Sequence, residues 1–114
     1  MSDDGGQGRS WHLYVGDMIE FCESVLSFTD GMNQAEFVAD RRTYHATLHS
    51  LQLIGEAATH IPADVRDTHS EIRWREIIGT RNRIVHAYLG IDDDVVWDII
   101  QTDIPHLLAQ LRDL

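Results

Sequence analysis

Apolar residues recur three and four positions apart along most of the chain, the spacing that places side chains on one face of an α-helix. The pattern predicts four helices and no strands. Their approximate ranges are 11–28, 33–59, 71–88 and 95–114. Helices of these lengths, joined by short connections, predict an all-α protein with the architecture of an antiparallel four-helix bundle.

Residues with known capping preferences mark the predicted helix boundaries. Ser10 is a candidate N-cap for the first helix, and Asn33 with Glu36 has the spacing of a capping box at the start of the second. Pro62 is expected to end the second helix, because the residue before a proline disfavours helical geometry. Pro105 is expected to kink or restart the last helix, because its ring clashes with the preceding turn.

The length of the chain predicts one helical domain, residues 11–114. The acidic, glycine-rich stretch MSDDGGQGRS at residues 1–10 is predicted to be a disordered leader. No apolar run is long enough for a membrane span. Cys22 is the single cysteine, which excludes an internal disulfide and suits a reducing cytoplasm, so we expect a cytoplasmic protein that does not contact membranes.

The charge distribution limits the ligands that the chain can bind. Its formal net charge is −10, which argues against a general nucleic-acid coat protein, because phosphate binding requires clustered cations. All nine basic residues are arginines, and five of them fall within residues 66–83, whereas residues 1–40 carry eight acids and one arginine. An anionic ligand is therefore expected to bind the third quarter of the chain.

The third predicted helix has two different faces. Its apolar face carries Trp74, Ile77, Ile78, Ile84, Val85 and Tyr88, and its polar face carries Arg75, Gly79, Asn82 and His86. Arg81 falls at the centre of the apolar face. A buried cation requires a partner, so Arg81 is expected either to pair with a buried acid, for which Glu56 is the candidate, or to face a cleft where it meets an anion. On an ideal helix Arg81 and His86 project about 140° apart, so a shared site requires a distorted helix end or two chains.

Two other polar clusters have ordinary explanations as well as functional ones. His45 and His49 have a spacing that suits zinc, but a solvated polar face is the favoured interpretation. The three aspartates at 92–94 suit a magnesium site, but capping of the following helix is favoured. No metal or other cofactor is expected.

The string RNRIVHAY resembles the R-x4-H-x-Y signature of the HepT-like ribonuclease toxins, a branch of the HEPN superfamily. The similarity extends over roughly residues 11–112. It includes LYVGDMIEFCESVLSF, FVADRRTYHATLHSLQLIGEAA and the C-terminal segment IRWREIIGTRNRIVHAYLGIDDDVVWDIIQTDIPHLLAQL.

The resemblance implies an all-α, HEPN-like bundle that forms a homodimer and cleaves RNA without a metal, as the toxin of a type VII toxin–antitoxin pair. It implies that Arg81 and His86 are catalytic at a cleft between the subunits. It also implies that the partner, a minimal nucleotidyltransferase antitoxin, silences the nuclease by transferring AMP to Tyr88. Tyr88 as an ordinary core residue is equally compatible with its place on the apolar face.

These residue types suit the cleavage of RNA. Histidine, with an unperturbed pKa near 6.5, can accept the proton of a 2′-hydroxyl, and arginine can stabilise the charge that develops on the phosphate. Asn82, Arg83 and Arg75 are expected to orient the substrate. One alternative is a non-catalytic subunit that binds a nucleotide or substrate for a nucleotidyltransferase. Another is a dimeric scaffold in which Arg81 only forms a structural ion pair.

Overall fold

A computed structural model describes residues 10–86 and 90–114, although the side chain of His86 is outside the description. The helices are α1 (Trp11–Thr29), α2 (Gln34–Ala39), α3 (Arg41–Ala58), α4 (Ala63–Thr68), α5 (Trp74–Ile78), α6 (Thr80–Ile84), α7 (Asp93–Asp98), a π-helix (Ile99–Asp103) and α8 (Ile104–Arg112). The predicted all-α class is confirmed. Most of the predicted leader, residues 1–9, lies outside the described residues.

The predicted start signals of the first two helices are confirmed. The hydroxyl of Ser10 accepts a hydrogen bond from the backbone N–H of His12 at the start of α1. Asn33 and Glu36 form the reciprocal capping box, with both N–H···O distances at 2.9 Å. Beyond α1, Gly31 adopts a φ of 78°, a left-handed conformation that residues with a Cβ rarely adopt.

The expectation of one helix over residues 33–59 is wrong, because the chain breaks at Asp40. This residue ends α2 and begins α3 in an extended conformation, with φ −84° and ψ 91°. Its carboxylate accepts a hydrogen bond from the N–H of Thr43 at 3.1 Å. The local bond offers the backbone an alternative to a continuous helix, as short polar side chains often do.

The core lies between α1, α3 and the C-terminal helices, since α1 packs against both α3 and α8. Met18, Cys22, Phe37 and Ile100 are among its fully buried side chains. Burial raises the pKa of the Cys22 thiol to about 12, so this cysteine is a small apolar core residue and a poor nucleophile. No described helix has the length and apolar character needed to cross a membrane.

Gly55 lies where helix α3 packs closely against α5. A Cβ built on Gly55 would lie 2.9 Å from the carbonyl oxygen of Ile77 and 3.5 Å from that of Ile78. Real Cβ atoms do not approach backbone oxygens at the shorter distance, so only glycine allows this contact. The glycine of the IGEAA segment therefore sets the position of α5 against α3.

The aspartates at 92–94 bind separate protein partners. The side chain of Asp92 caps α7 by accepting from the N–H of Val95 at 3.1 Å, which confirms the predicted capping function. Asp93 accepts a hydrogen bond from the hydroxyl of Tyr44, and Asp94 accepts one from the Gln34 amide at 2.6 Å. These bonds connect the start of α7 to α2 and α3.

The interruption predicted at Pro105 is confirmed. The chain forms one stretch of π-helix over Ile99–Asp103 and restarts as α8, with Pro105 in its first turn. The π-helical turn before Pro105, in which the N–H of Ile104 donates to the carbonyl oxygen of Ile99, replaces the regular α-helical bonds where the proline ring and its missing N–H would disrupt them.

Candidate functional site

The predicted third helix, residues 71–88, is not continuous in the structure. It divides into α5 and α6 at Gly79 and gives way to β1 (Val85–His86), which pairs with β2 (Gly90–Ile91). At the first break the hydroxyl of Thr80 donates to the carbonyl oxygens of Ile77 at 2.8 Å and Glu76 at 3.2 Å. The Thr80 side chain thereby binds two of the last carbonyls of α5, as short polar side chains often do at helix ends.

The assignment of Arg81 to a buried apolar face is wrong. Arg81 is exposed on α6, and so is Val85, whereas Ile84 is buried. The assignment assumed an uninterrupted rotation of about 100° per residue, which the break at Gly79 removes. The proposed ion-pair partner is wrong as well, because Glu56 is exposed and its carboxylate lies 4.0 Å from Nε2 of His60, just beyond the end of α3.

Within residues 10–86 and 90–114, the Arg81 guanidinium makes no hydrogen bond or ion pair. The neighbouring side chain of Asn82 is also exposed. In a protein with ten more negative than positive charges, a solvated cation that no described carboxylate pairs with is available to an anion. The arrangement favours the ligand-binding interpretation of Arg81 over the structural ion pair.

The angle of about 140° between Arg81 and His86 applies only to a continuous helix, and α6 ends at Ile84. Val85 is extended, with φ −110° and ψ 122°, and His86 follows in β1 opposite Gly90. The chain therefore leaves helical geometry before His86. The sequence allowed two arrangements for a shared site, a distorted helix end or two chains, and the first of them is present. Tyr88 lies outside the described residues.

Arg83, unlike Arg81, has a protein partner. Its Nη2 lies 3.1 Å from Oδ2 of Asp103, and each side chain is about one third exposed, at 33% and 31%. Asp103 is the last residue of the π-helix, so the ion pair joins α6 to the π-helix. The pair borders a cavity of about 150 Å³ whose lining combines apolar side chains, including Leu51, Ile99 and Leu107, with polar and charged ones.

No role was predicted from the sequence for Asp103 or Thr80. The contacts of these two residues connect α6 to its surroundings. Neither residue belongs to a recognisable motif, and their contacts depend on the helix break and on the π-helix. Of the other predicted residues, Arg75 is exposed on α5, a different helix from Arg81. His45 and His49 are exposed on α3, and in the described part of the chain no cluster of three potential metal ligands includes them.

The chain is similar in sequence to known proteins over most of its length. The family model described as Ribonuclease HepT-like matches residues 18–114. The probable ribonuclease HepT of Thermococcus cleftensis is 37% identical over 106 residues, which cover 93% of this chain and 96% of the relative.

Two further relatives carry provisional RNase names. A protein of Caldanaerobacter subterraneus subsp. tengcongensis is 32% identical over 101 residues, 89% of this chain and 90% of the relative. A protein of Methanocaldococcus jannaschii is 32% identical over 104 residues, 91% of this chain and 95% of the relative. No solved structure matches the chain significantly. From the match over residues 18–114 and the near full-length relatives, the chain belongs to the HepT-like ribonuclease family.

Proposed function

We propose that this protein is a metal-independent endoribonuclease toxin that cleaves RNA with Arg81 and His86. Family membership and the names of the relatives support the ribonuclease part of the proposal. The observation that carries the catalytic assignment is the state of Arg81, which is exposed and has no partner among the described residues, five positions before His86. The end of α6 at Ile84 removes the geometric objection to a shared site.

In the proposed reaction the 2′-oxygen of a ribose attacks the adjacent phosphorus. A new P–O2′ bond forms and the P–O5′ bond breaks, which leaves a cyclic phosphate and a free 5′-hydroxyl. His86 accepts the proton of the attacking hydroxyl, and an imidazolium returns a proton to the departing 5′-oxygen. Arg81 stabilises the charge on the phosphate oxygens with its planar donors. No step requires a metal.

Asn82 and Arg75 are proposed to orient the RNA strand. Asn82 is exposed next to Arg81, and Arg75 is exposed on the preceding helix, α5. Arg83 is proposed for the same function, but its guanidinium is shared with Asp103. A phosphate would therefore contact Arg83 in competition with a carboxylate, so we expect a smaller contribution from Arg83 than from Arg81.

Regulation by a partner is part of the proposal. We propose that the chain acts as a homodimer and that a minimal nucleotidyltransferase silences it by transferring AMP to the hydroxyl of Tyr88. The support is the complete R-x4-H-x-Y string, which places a tyrosine two residues after His86. Attachment of AMP would add bulk and negative charge next to the proposed site and so repel RNA.

The catalytic assignment is tested by the purified His86→Ala variant with unstructured RNA as substrate. Loss of a general acid–base is expected to lower the cleavage rate by about 10²–10⁴-fold. His49→Ala is the matched control, since it removes an exposed histidine from α3 and should cleave at the wild-type rate. Equal activity of His86→Ala and His49→Ala would show that the catalytic assignment is wrong.

Expression in cells separates the toxin from the alternative, a non-catalytic binding subunit of a nucleotidyltransferase. A toxin should arrest growth when expressed alone, and both His86→Ala and the nucleotidyltransferase should relieve the arrest. Tyr88→Phe should remain toxic in the presence of the partner. A binding subunit would instead form a tight complex with the partner, cleave no RNA and be indifferent to His86→Ala.

A further inference from the structure

A surface groove of about 730 Å³ runs between α4 and α5, outside the R-x4-H-x-Y segment. Three of its lining residues are arginines, Arg66, Arg73 and Arg75. The remaining lining residues are Ala63, Asp67, Ser70, Ile72, Trp74, Glu76, Ile78 and Gly79. One third of the arginines of this acidic chain therefore line one groove.

Two of these arginines have no carboxylate partner within residues 10–86 and 90–114. The Nε atom of Arg66 is buried and makes no hydrogen bond among the described residues. Arg75 is exposed, and its guanidinium also makes no hydrogen bond or ion pair in the described part of the chain. Arg73, in contrast, is paired, with its Nε 2.7 Å from the carboxylate of Glu76. Because the Nε atom of Arg66 is itself closed to solvent, a phosphate would contact the remaining nitrogens of the Arg66 guanidinium. This side chain is half-buried and forms no hydrogen bond or ion pair with a described residue.

The groove is continuous with the proposed catalytic segment. Gly79 lines it and is the residue at which α5 ends and α6 begins. Consecutive Cα atoms are about 3.8 Å apart, so the Cα of Arg81 lies within about 7.6 Å of that of Gly79. Stacked nucleotides advance by about 3.4 Å each along a strand. A strand held at Arg81 would reach the groove within two or three nucleotides.

We propose that the α4–α5 groove is a subsite for the phosphate backbone of single-stranded RNA, in which Arg66 and Arg75 hold the nucleotides next to the cleaved bond. The proposal rests on the proposed ribonuclease function, whose substrate path it describes. It assigns a ligand to Arg66, one of the five arginines within residues 66–83 where the sequence predicted the binding of an anion. Asp67 and Glu76 leave the groove with a net charge of only about +1, so binding in it is weak and depends strongly on salt.

The subsite is tested by binding, independently of cleavage. The probe is a fluorescent 12-nucleotide RNA in which every ribose is 2′-O-methylated, so that no 2′-hydroxyl can attack. Its dissociation constant is measured by anisotropy over a series of salt concentrations for the full-length protein. The variants are Arg66→Gln and Arg75→Gln, and the control is Arg42→Gln, which removes an exposed arginine of α3 that lies outside the groove.

Each groove variant is expected to weaken binding about three- to tenfold and to lower the slope of log Kd against log salt by about 0.7, the value for one phosphate on a single strand. Arg42→Gln should match the wild type. If Arg66→Gln fails to fold, the exposed Arg75 decides the test.

The proposal is overturned if both groove variants have the salt slope of Arg42→Gln, or if the wild type does not bind the 12-nucleotide probe. Failure of the proposed function has a different signature. In that case unmodified RNA would remain uncleaved while binding of the methylated probe still depended on Arg66 and Arg75.

Discussion

Substitution of Gly55 by alanine tests the contact that positions α5. A Cβ at Gly55 would lie 2.9 Å from the carbonyl oxygen of Ile77, whereas ordinary contacts begin at 3.4 Å. The two helices must therefore separate by about half an ångström. Overpacking of this kind costs about 1–3 kcal/mol, and replacement of a helical glycine by alanine returns about 0.5–1 kcal/mol. The net expectation is a destabilisation of about 1 kcal/mol, within a range of about 0–2.5 kcal/mol.

Gly16→Ala is the matched control, because Gly16 is an exposed residue inside α1 and no atom lies within 4 Å of the position that a Cβ would occupy there. It should stabilise the protein by about 0.5–1 kcal/mol, so the same substitution has opposite signs at the two positions. The free energy of unfolding in urea measures both. A Gly55→Ala protein as stable as Gly16→Ala would refute the argument that close contact between the two helices requires a glycine.

The substitution should also affect the proposed site. The carbonyl oxygen of Ile77 accepts a hydrogen bond from the hydroxyl of Thr80 at 2.8 Å. This bond lies at the break between α5 and α6. Displacement of Ile77 by the new methyl group would disturb this bond and shift Arg81 on α6. We therefore expect RNA cleavage by Gly55→Ala to fall below the wild-type rate, and cleavage by Gly16→Ala to remain unchanged.

Two further predictions concern buried polar groups. Thr47→Val should stabilise the protein by about 1 kcal/mol in a urea titration, because the Thr47 hydroxyl is fully buried and has no hydrogen-bond partner among the described residues. Thr29→Val should not stabilise it, since the hydroxyl of Thr29 donates to the carbonyl oxygen of Val25 at 2.9 Å, and equal effects would contradict the reasoning. Burial, with a contribution from the hydrogen bond to Asp93, raises the pKa of Tyr44 from about 10 to about 12. The folded state thus favours the neutral phenol, and its stabilising contribution is complete below pH 10 and lost as the pH rises towards 12. The free energy of unfolding should fall over that interval less steeply in Tyr44→Phe, and identical slopes would contradict the assignment.

The sequence determined the features that depend on neighbouring residues. The cap at Ser10, the capping box of Asn33 with Glu36, and the restart at Pro105 each involve groups a few positions apart. Such interactions form whatever the rest of the chain does, so they could be predicted without coordinates. The all-α class follows from the same local periodicity. The spacing of Arg81 and His86 was also visible, together with the family that it resembles.

Only the tertiary structure decided which side of the protein Arg81 faces. A prediction from periodicity adds about 100° for each residue, and one break in the helix invalidates every later angle. The break at Gly79 occurs where α5 packs against Gly55, 24 positions earlier in the chain, and where Thr80 binds carbonyls of the preceding turn. The partner of Arg83 and the arginine-lined groove likewise depend on helices that are distant in sequence. Contacts between distant segments fix these positions, and no local pattern of residues encodes them.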